Sequence, residues 1–128
     1  MRAFLDAQAL IWFATGDRRM PPRVRRFIEN SENELLLSIA SVWEIMIKGR
    51  LGRLDIDRAP VAYILHYMGQ LSLIPTPISL DHVFRVVDLP GLHQDPFDRL
   101  LIAQAITENI PIVTRDAAIQ AYNVRTIW

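Results

Sequence analysis

Four acidic residues of the sequence each lie beside an apolar segment that we expect to be buried. They are Asp6, Glu44, Asp98 and Asp116. Carboxylates that converge in one place repel each other unless a cation holds them. Oxygen ligands of this kind suit Mg²⁺ or Mn²⁺ better than zinc or copper. The cluster predicts metal-dependent hydrolysis of a phosphodiester, in which the ion lowers the pKa of a bound water and neutralises charge at the phosphoryl group.

The stretch from His93 to Ala105 carries the clearest local signal. Asp95 followed by Pro96 is typical of a helix N-cap and first helical residue, because the Asp oxygen accepts an unpaired backbone N–H and proline has none to pair. Asp98 then lies in the first turn, where the helix dipole favours a charged carboxylate. Residues 100–106 are apolar on nearly every face, which indicates burial. Capping alone explains Asp95, whereas Asp98 is a ligand candidate if other acids converge on it.

Two of the other acids follow predicted strands. Asp6 comes directly after the apolar run 3–5, and Asp116 comes just after a strand predicted over 110–114. Open α/β sheets bind their ligands at the carboxyl ends of parallel strands. Asp6 could instead only cap the next helix, but a buried acid beside a core strand is costly. We therefore favour a ligand role for Asp6.

Glu44 lies in a helix that is predicted to follow a strand over Glu34–Ser38, with Ser38 or Ser41 as its cap. Two structural alternatives explain this acid without any chemistry. Ser41 to Glu44 fits a capping box, and Glu44 with Lys48 fits an exposed ion pair one helical turn apart. Bulky apolar neighbours surround Glu44 on most sides, which favours burial and a ligand role.

The elements that must position these acids indicate a single α/β domain over residues 1–128. Short apolar strands alternate with helices, and the strands are predicted at 3–5, 34–38, 71–74, 110–114 and 124–127. This alternation is typical of a three-layer α/β/α sandwich with a short, mainly parallel central sheet. Right-handed crossovers bring the carboxyl ends of such strands to one edge. We expect the four acids to meet there.

Composition excludes several classes of protein. The chain has no cysteine, which excludes thiol catalysis, zinc–cysteine sites and disulfides. Its 14 acidic and 14 basic residues balance, so no strong overall field directs it to nucleic acid or to a membrane. We find neither a signal sequence nor an apolar run long enough to cross a bilayer, and expect a soluble, cytoplasmic protein.

The cations are chosen unevenly, because Lys48 is the single lysine and the others are arginine. Five arginines fall close together around Pro21-Pro22: Arg18, Arg19, Arg23, Arg25 and Arg26. A solvated helix face explains this group about as well as a patch that binds phosphate or a partner protein.

Four motifs, taken in order, resemble those of PIN-domain proteins, and most closely the VapC-type toxins of bacterial and archaeal toxin–antitoxin pairs. They are Leu5–Trp12, Ser41–Ile45, Asp95–Ala105 and Val113–Asp116. The resemblance spans nearly the whole chain. It implies a PIN-like fold and an endoribonuclease that depends on Mg²⁺ or Mn²⁺. It also implies a cognate antitoxin protein as inhibitor, RNA as substrate and a homodimer.

By motif, the resemblance assigns metal binding and catalysis to the acids already named: Asp6, Glu44, Asp98 and Asp116. Asp95 and Thr114 would be accessory residues beside them. Three cations are candidates for binding the RNA substrate: Lys48, Arg99 and Arg115. No histidine is needed as a base, so we expect His66 and His82 to be ordinary helix residues and His93 not to contact substrate.

The first motif departs from the family pattern. Where the family commonly has Asp-Thr-His, this chain has Asp6-Ala7-Gln8, so a hydroxyl beside the metal site and a nearby imidazole are missing. A non-enzyme alternative is therefore a catalytically weakened PIN fold that acts by binding RNA or a partner. A phosphatase of the haloacid dehalogenase type fits less well, since it needs a second Asp at position 8. No glycine-rich phosphate loop is present either.

Overall fold

A five-stranded sheet lies at the centre of the computed structural model, which describes residues 1–128. Its strands are β1 (Arg2–Leu5), β2 (Glu34–Ser38), β3 (Ile74–Thr76), β4 (Ile112–Val113) and β5 (Thr126–Ile127). Their order across the sheet is β3-β2-β1-β4-β5. All neighbouring strands are parallel, which confirms the expected parallel sheet.

Seven helices connect the strands: α1 (Ala7–Thr15), α2 (Pro22–Glu29), α3 (Ile39–Arg50), α4 (Pro60–Leu71), α5 (Leu80–Val86), α6 (Pro96–Glu108) and α7 (Ala117–Gln120). Successive strand residues face opposite sides of the sheet, as its pleat requires. Leu35 and Leu37 pack with α1 to α4, whereas Leu36 packs with α6 and α7. Helices thus cover both faces, which confirms the α/β/α sandwich. None of them combines the length and the apolar character that crossing a membrane requires.

β1 lies where the strand order changes direction. β2 and β3 lie on one side of it, and β4 and β5 lie on the other. Open parallel sheets bind ligands in the crevice outside the carboxyl ends of the strands at this switch point. Leu5 pairs with Val113 across it, and the backbone N–H of Asp6 donates to the Val113 carbonyl at 3.3 Å. The residues that follow β1 and β4 therefore begin side by side.

The third strand differs from its prediction. The sequence predicts a strand over 71–74 that Pro75 ends, but α4 continues to Leu71 and the strand is Ile74–Thr76. Pro75 lies inside this strand and pairs with Leu37. The proline is tolerated because β3 is at the edge of the sheet, where one side of the strand has no neighbouring strand to which an N–H would have to donate.

Candidate metal centre

The four predicted acids line one cavity of about 370 Å³ at the carboxyl edge of the sheet. Asp6 follows β1, Glu44 lies on α3, Asp98 lies in the first turn of α6, and Asp116 precedes α7. The other charged residues that line the cavity are Lys48, Asp95 and Arg115. The structure thus brings together acids that are far apart in the sequence.

Asp6 combines a structural position with a place in the cavity. Its Oδ1 accepts a hydrogen bond of 2.7 Å from the backbone N–H of Ala9 and so caps α1. The side chain is nonetheless buried, and burial raises its pKa to about 6, against an opposing hydrogen bond from the Thr114 hydroxyl. The capping interpretation and the ligand interpretation of Asp6 are therefore compatible.

Asp95 and Asp98 lie together at the start of α6 but differ in their electrostatics. Asp95 Oδ1 accepts from the backbone N–H of Phe97 and of Asp98, at 2.8 and 3.2 Å, which confirms the predicted cap. Burial alone would raise the pKa of Asp95, but Lys48 and these N–H groups lower it below its usual value. Burial and the charges of Glu44, Asp95 and Asp6 raise the pKa of Asp98 to about 7. Asp98 is thus the acid whose charge is least compensated.

Glu44 and Lys48 form an ion pair that is buried rather than exposed. Lys48 Nζ lies 2.6 Å from Glu44 Oε2, and Glu44 is only 8% exposed. Burial raises the pKa of Glu44, and Lys48 opposes this rise. The alternative capping box of Ser41 is not formed, because Ser38 caps α3 with its Oγ 3.1 Å from the Ala40 nitrogen. Glu44 is thus free of a capping role, and its side chain lines the cavity.

His93 is a member of the site that sequence reasoning missed. Its Nε2 lies 3.0 Å from Asp98 Oδ2 and 2.8 Å from Asp116 Oδ2. Its Nδ1 accepts the backbone N–H of Asp95 at 3.0 Å. Because Nδ1 accepts, the ring proton is on Nε2, and the imidazole donates to the Asp116 carboxylate while the same nitrogen contacts Asp98. The only sequence signal was its place just before the helix cap that presents Asp98.

Arg99 does not line the cavity but holds the loop that carries His93. Its guanidinium donates to the carbonyl oxygens of Pro90 and Val86 at 2.9 and 3.1 Å. The nitrogen that donates to Pro90, Nη1, also lies 3.2 Å from the hydroxyl of Tyr122, which itself accepts the backbone N–H of His93 at 2.9 Å. The prediction that Arg99 binds substrate gains no support from this geometry, since its N–H donors point at the loop.

The segment after β4 positions the last acid. Thr114 is fully buried, and its hydroxyl accepts the backbone N–H of Asp116 at 3.0 Å. Asp116 Oδ1 in turn accepts from the Ala118 N–H at 2.8 Å and caps α7. Arg115, between them, is exposed and reaches the rim of the cavity, with its guanidinium carbon 5.7 Å from the centre of the Trp12 ring.

The arginines around Pro21-Pro22 are largely engaged within the chain. Three make internal contacts: Arg19 with Asp17, Arg23 with the Trp128 carbonyl, and Arg25 with the Phe13 carbonyl. A structural role therefore explains these three side chains. Most of the guanidinium groups that a phosphate-binding patch would need are already engaged in contacts within the chain.

The donors around the cavity fit a hard divalent cation. Side chains able to bind a metal form two groups, and the ligand atoms within each group lie no more than 4.8 Å apart. His93, Asp98 and Asp116 form one, and Glu44, Asp95 and Asp98 form the other. Because His93 Nε2 carries the proton that it donates to Asp116, the carboxylates are the free ligands of the first group. Asp6 lines the same cavity beside them, and its charge raises the pKa of Asp98. Carboxylate oxygens predominate, as Mg²⁺ and Mn²⁺ prefer. Burial, and then repulsion between the acids, raise the pKa values of Asp6 and Asp98, and a cation would stabilise the charged form of both.

Comparison with known sequences places the chain in a family. The family profile described as PIN domain matches residues 3–124. This chain belongs to the PIN-domain family. The PIN domain is also similar to the ribonuclease VapC16 of Mycobacterium tuberculosis, with 36% identity over 58 residues. That match covers 45% of this chain and 40% of the relative, so the chain spans less than half the length of that relative.

Solved structures share the fold of this PIN domain over almost its whole length. VapBC2 from Rickettsia felis, bound to a promoter DNA fragment, has a TM-score of 0.72 at 16% identity and covers 99% of this chain and 98% of its own. DNA-bound VapBC from Salmonella typhimurium has a TM-score of 0.71 at 17% identity, and the match covers 99% of this chain and 98% of that one. A toxin–antitoxin complex from Klebsiella pneumoniae has a TM-score of 0.63 at 18% identity, and the match covers 98% of this chain and 96% of that one. These likenesses confirm the predicted PIN-like fold.

Proposed function

We propose that this PIN domain is a metal-dependent endoribonuclease and the toxin of a toxin–antitoxin pair. The observation that carries the proposal is the convergence of Asp6, Asp98 and Asp116 on one cavity at the switch point of the sheet. The name of the mycobacterial relative supports RNA as the substrate. The solved structures with this fold support a toxin–antitoxin context, because they are VapBC and toxin–antitoxin complexes.

The acids would hold Mg²⁺ or Mn²⁺, with Asp6, Asp98 and Asp116 as the principal ligands and Glu44 beside them. When bound, such an ion activates water and neutralises charge on a phosphodiester. His93 positions two of the ligands, since its Nε2–H donates to Asp116 and the same nitrogen lies 3.0 Å from Asp98 Oδ2. Partners of this kind fix the orientation of ligating carboxylates.

Arg115 is the strongest candidate for contact with the RNA backbone. Of the three predicted substrate-binding cations, it is exposed and lines the cavity, whereas Lys48 is paired with acids and Arg99 with loop carbonyls. Phosphate groups that approach the acids need a cation to offset repulsion. A guanidinium binds phosphate through two parallel hydrogen bonds. Arg115 would therefore guide the scissile region of the RNA to the cavity.

The proposed assembly is a homodimer that also binds an antitoxin protein. Exposed apolar side chains form a stripe along α3 at Ile39, Trp43 and Ile47. Another runs along α5 and its C-cap at Leu80, Val83, Phe84 and Val87. Both helices pack on α6. Exposed apolar patches mark protein interfaces. In a two-fold dimer the same patch of each copy packs against that of the other. Sedimentation velocity should show a dimer that Phe84→Glu converts to a monomer; a monomeric parent chain would contradict this assembly.

A cleavage assay tests the enzymatic proposal. The purified protein is treated with EDTA, dialysed and incubated with mixed RNA, with and without Mg²⁺ or Mn²⁺. We expect cleavage only when the ion is present. Asp98→Asn, purified identically, is the matched control for contaminating nuclease and should be inactive. Cleavage in EDTA, or equal cleavage by Asp98→Asn, would contradict the proposal.

A second candidate function is capture of RNA or a partner without turnover. It is favoured by Ala7 and Gln8, which line the cavity next to Asp6 and replace a hydroxyl and an imidazole. Gel-shift measurements in Mn²⁺ separate the two functions. RNA that is bound and recovered intact would favour capture, whereas bound RNA that is converted to fragments favours the nuclease.

A further inference from the structure

The ligand atoms around the cavity fall into two groups that share Asp98. One group adds His93 and Asp116 to it, and the other adds Glu44 and Asp95. Nucleases with two metal ions hold them roughly 4 Å apart, so that both clamp the same phosphate. The geometry therefore raises the question of whether the second group holds an ion of its own.

Lys48 already lies in the second group. Its ammonium nitrogen is 2.6 Å from Glu44 Oε2 and 3.2 Å from Asp95 Oδ2, and so bridges the two acids. The other oxygen of Asp95 accepts the backbone N–H groups of Phe97 and Asp98. A divalent ion at this place would compete with an ammonium for both of its carboxylates.

The fold holds the Lys48 side chain in this position. Glu44 and Lys48 lie one turn apart on α3, so the same helix presents both groups to the cavity. The ammonium also lies 5.7 Å from the centre of the Phe97 ring, over an aromatic side chain of α6. The Lys48 side chain is only 24% exposed, which limits its freedom to move away.

The acids of the first group have no such cation. Neither Asp98 nor Asp116 forms an ion pair with lysine or arginine, and their shared contact is the imidazole of His93. Asp6 lies beside them without a cationic partner.

We propose that Lys48 takes the place of a second metal ion, so that the chain binds a single divalent cation at Asp6, Asp98 and Asp116. This inference rests on the proposed metal-dependent function. The ammonium offsets part of the negative charge on the Glu44–Asp95 side of the cavity, and one ion binds on the other side. The single lysine of the sequence is thereby part of the metal centre.

Counting bound Mn²⁺ tests the inference without an activity measurement. EDTA-treated, dialysed protein is titrated with MnCl₂, and free Mn²⁺ is measured by electron paramagnetic resonance. We expect one bound ion in the parent chain and in Lys48→Arg. Lys48→Met should bind a second ion and give the spectrum of an exchange-coupled pair. Arg50→Met, which removes an exposed cation from the same helix, is the matched control and should bind one.

The outcomes separate this inference from the proposed function. Two ions in the parent chain, or one ion in folded Lys48→Met, would overturn the role of Lys48 and leave the nuclease intact. No bound ion in the parent chain would overturn both. Circular dichroism establishes whether Lys48→Met is folded. If it is not, two ions or none in the parent chain would still overturn the inference.

Discussion

His93 donates its Nε2–H to the carboxylate of Asp116 across a distance of 2.8 Å, although the two residues are 23 positions apart. The same nitrogen lies 3.0 Å from Asp98 Oδ2. One imidazole thus ties the start of α6 to the start of α7. Because both of its partners are proposed metal ligands, its removal should disturb the geometry of the metal centre.

We expect His93→Ala to lower metal affinity or RNA cleavage by about 10- to 100-fold, the range seen when partners of metal ligands are lost. Mn²⁺ titration and initial cleavage rates measure the two effects. His66→Ala, at a half-buried position of α4 that does not line the cavity, should behave as the parent chain. Parental affinity and rate in His93→Ala would show that the imidazole has no positioning role.

Asp6→Asn should abolish RNA cleavage and stabilise the metal-free fold. Asparagine caps a helix as well as aspartate does, so α1 keeps its start. Removal of a buried charge with a raised pKa should increase the free energy of unfolding near pH 8 by roughly 1–3 kcal/mol. Urea titration in EDTA measures the change. Asp88→Asn, an exposed loop acid, should shift it by less than about 0.5 kcal/mol. A destabilised or active Asp6→Asn would be evidence against the assignment.

Stability of the metal-free protein should fall as pH rises. Burial raises the pKa of Asp6 to about 6 and that of Asp98 to about 7, from 3.8 in both cases, so the folded chain retains protons that the unfolded chain releases. The stabilisation is complete below about pH 4 and is lost as pH rises through 6 to 7.

Urea titrations in EDTA at about pH 5 and pH 8 measure this loss, which we expect to be roughly 2–4 kcal/mol. Asp98→Asn should reduce the loss, and Mg²⁺ should restore stability mainly at the higher pH. Stability that is flat or increases over this interval would contradict the raised pKa values of Asp6 and Asp98, and with them the burial and repulsion that cause them.

Arg99→Lys should destabilise the fold without changing the affinity for RNA. A lysine cannot reproduce the guanidinium bonds to Pro90, Val86 and Tyr122, so we expect a loss of roughly 1–3 kcal/mol. Arg26→Lys, at an exposed site, is the control. Weaker RNA binding by a fully stable Arg99→Lys would restore the substrate role that the sequence suggested.

The layers of the fold were predictable because they depend on local apolar patterns. Continuous apolar runs such as Leu35-Leu36-Leu37 indicate strands that are covered on both faces, and the alternation with helices gives a parallel sheet. The sequence places β3 too early because a proline normally ends a strand, and Pro75 is acceptable inside this one only at the edge of the sheet. The position of a strand within a sheet depends on the whole topology and not on its own residues.

The convergence of the acids could be predicted from the sequence, whereas the residues that hold them in place could not. Asp6 and Asp116 follow strands, and parallel strands end at one edge, so topology alone brings them together. The position of His93 depends on a loop that Arg99 and Tyr122 fasten, and no local pattern encodes those contacts. The burial of the Glu44–Lys48 pair depends in the same way on the packing of α6 against α3.

Anomalous diffraction from a crystal soaked in Mn²⁺ tests most directly whether the converging acids form a metal centre. We expect one peak per chain, about 2.1 Å from carboxylate oxygens of Asp6, Asp98 and Asp116. Absence of a peak in this cavity, with Mn²⁺ bound only elsewhere or not at all, would contradict the metal centre and the nuclease proposed on it.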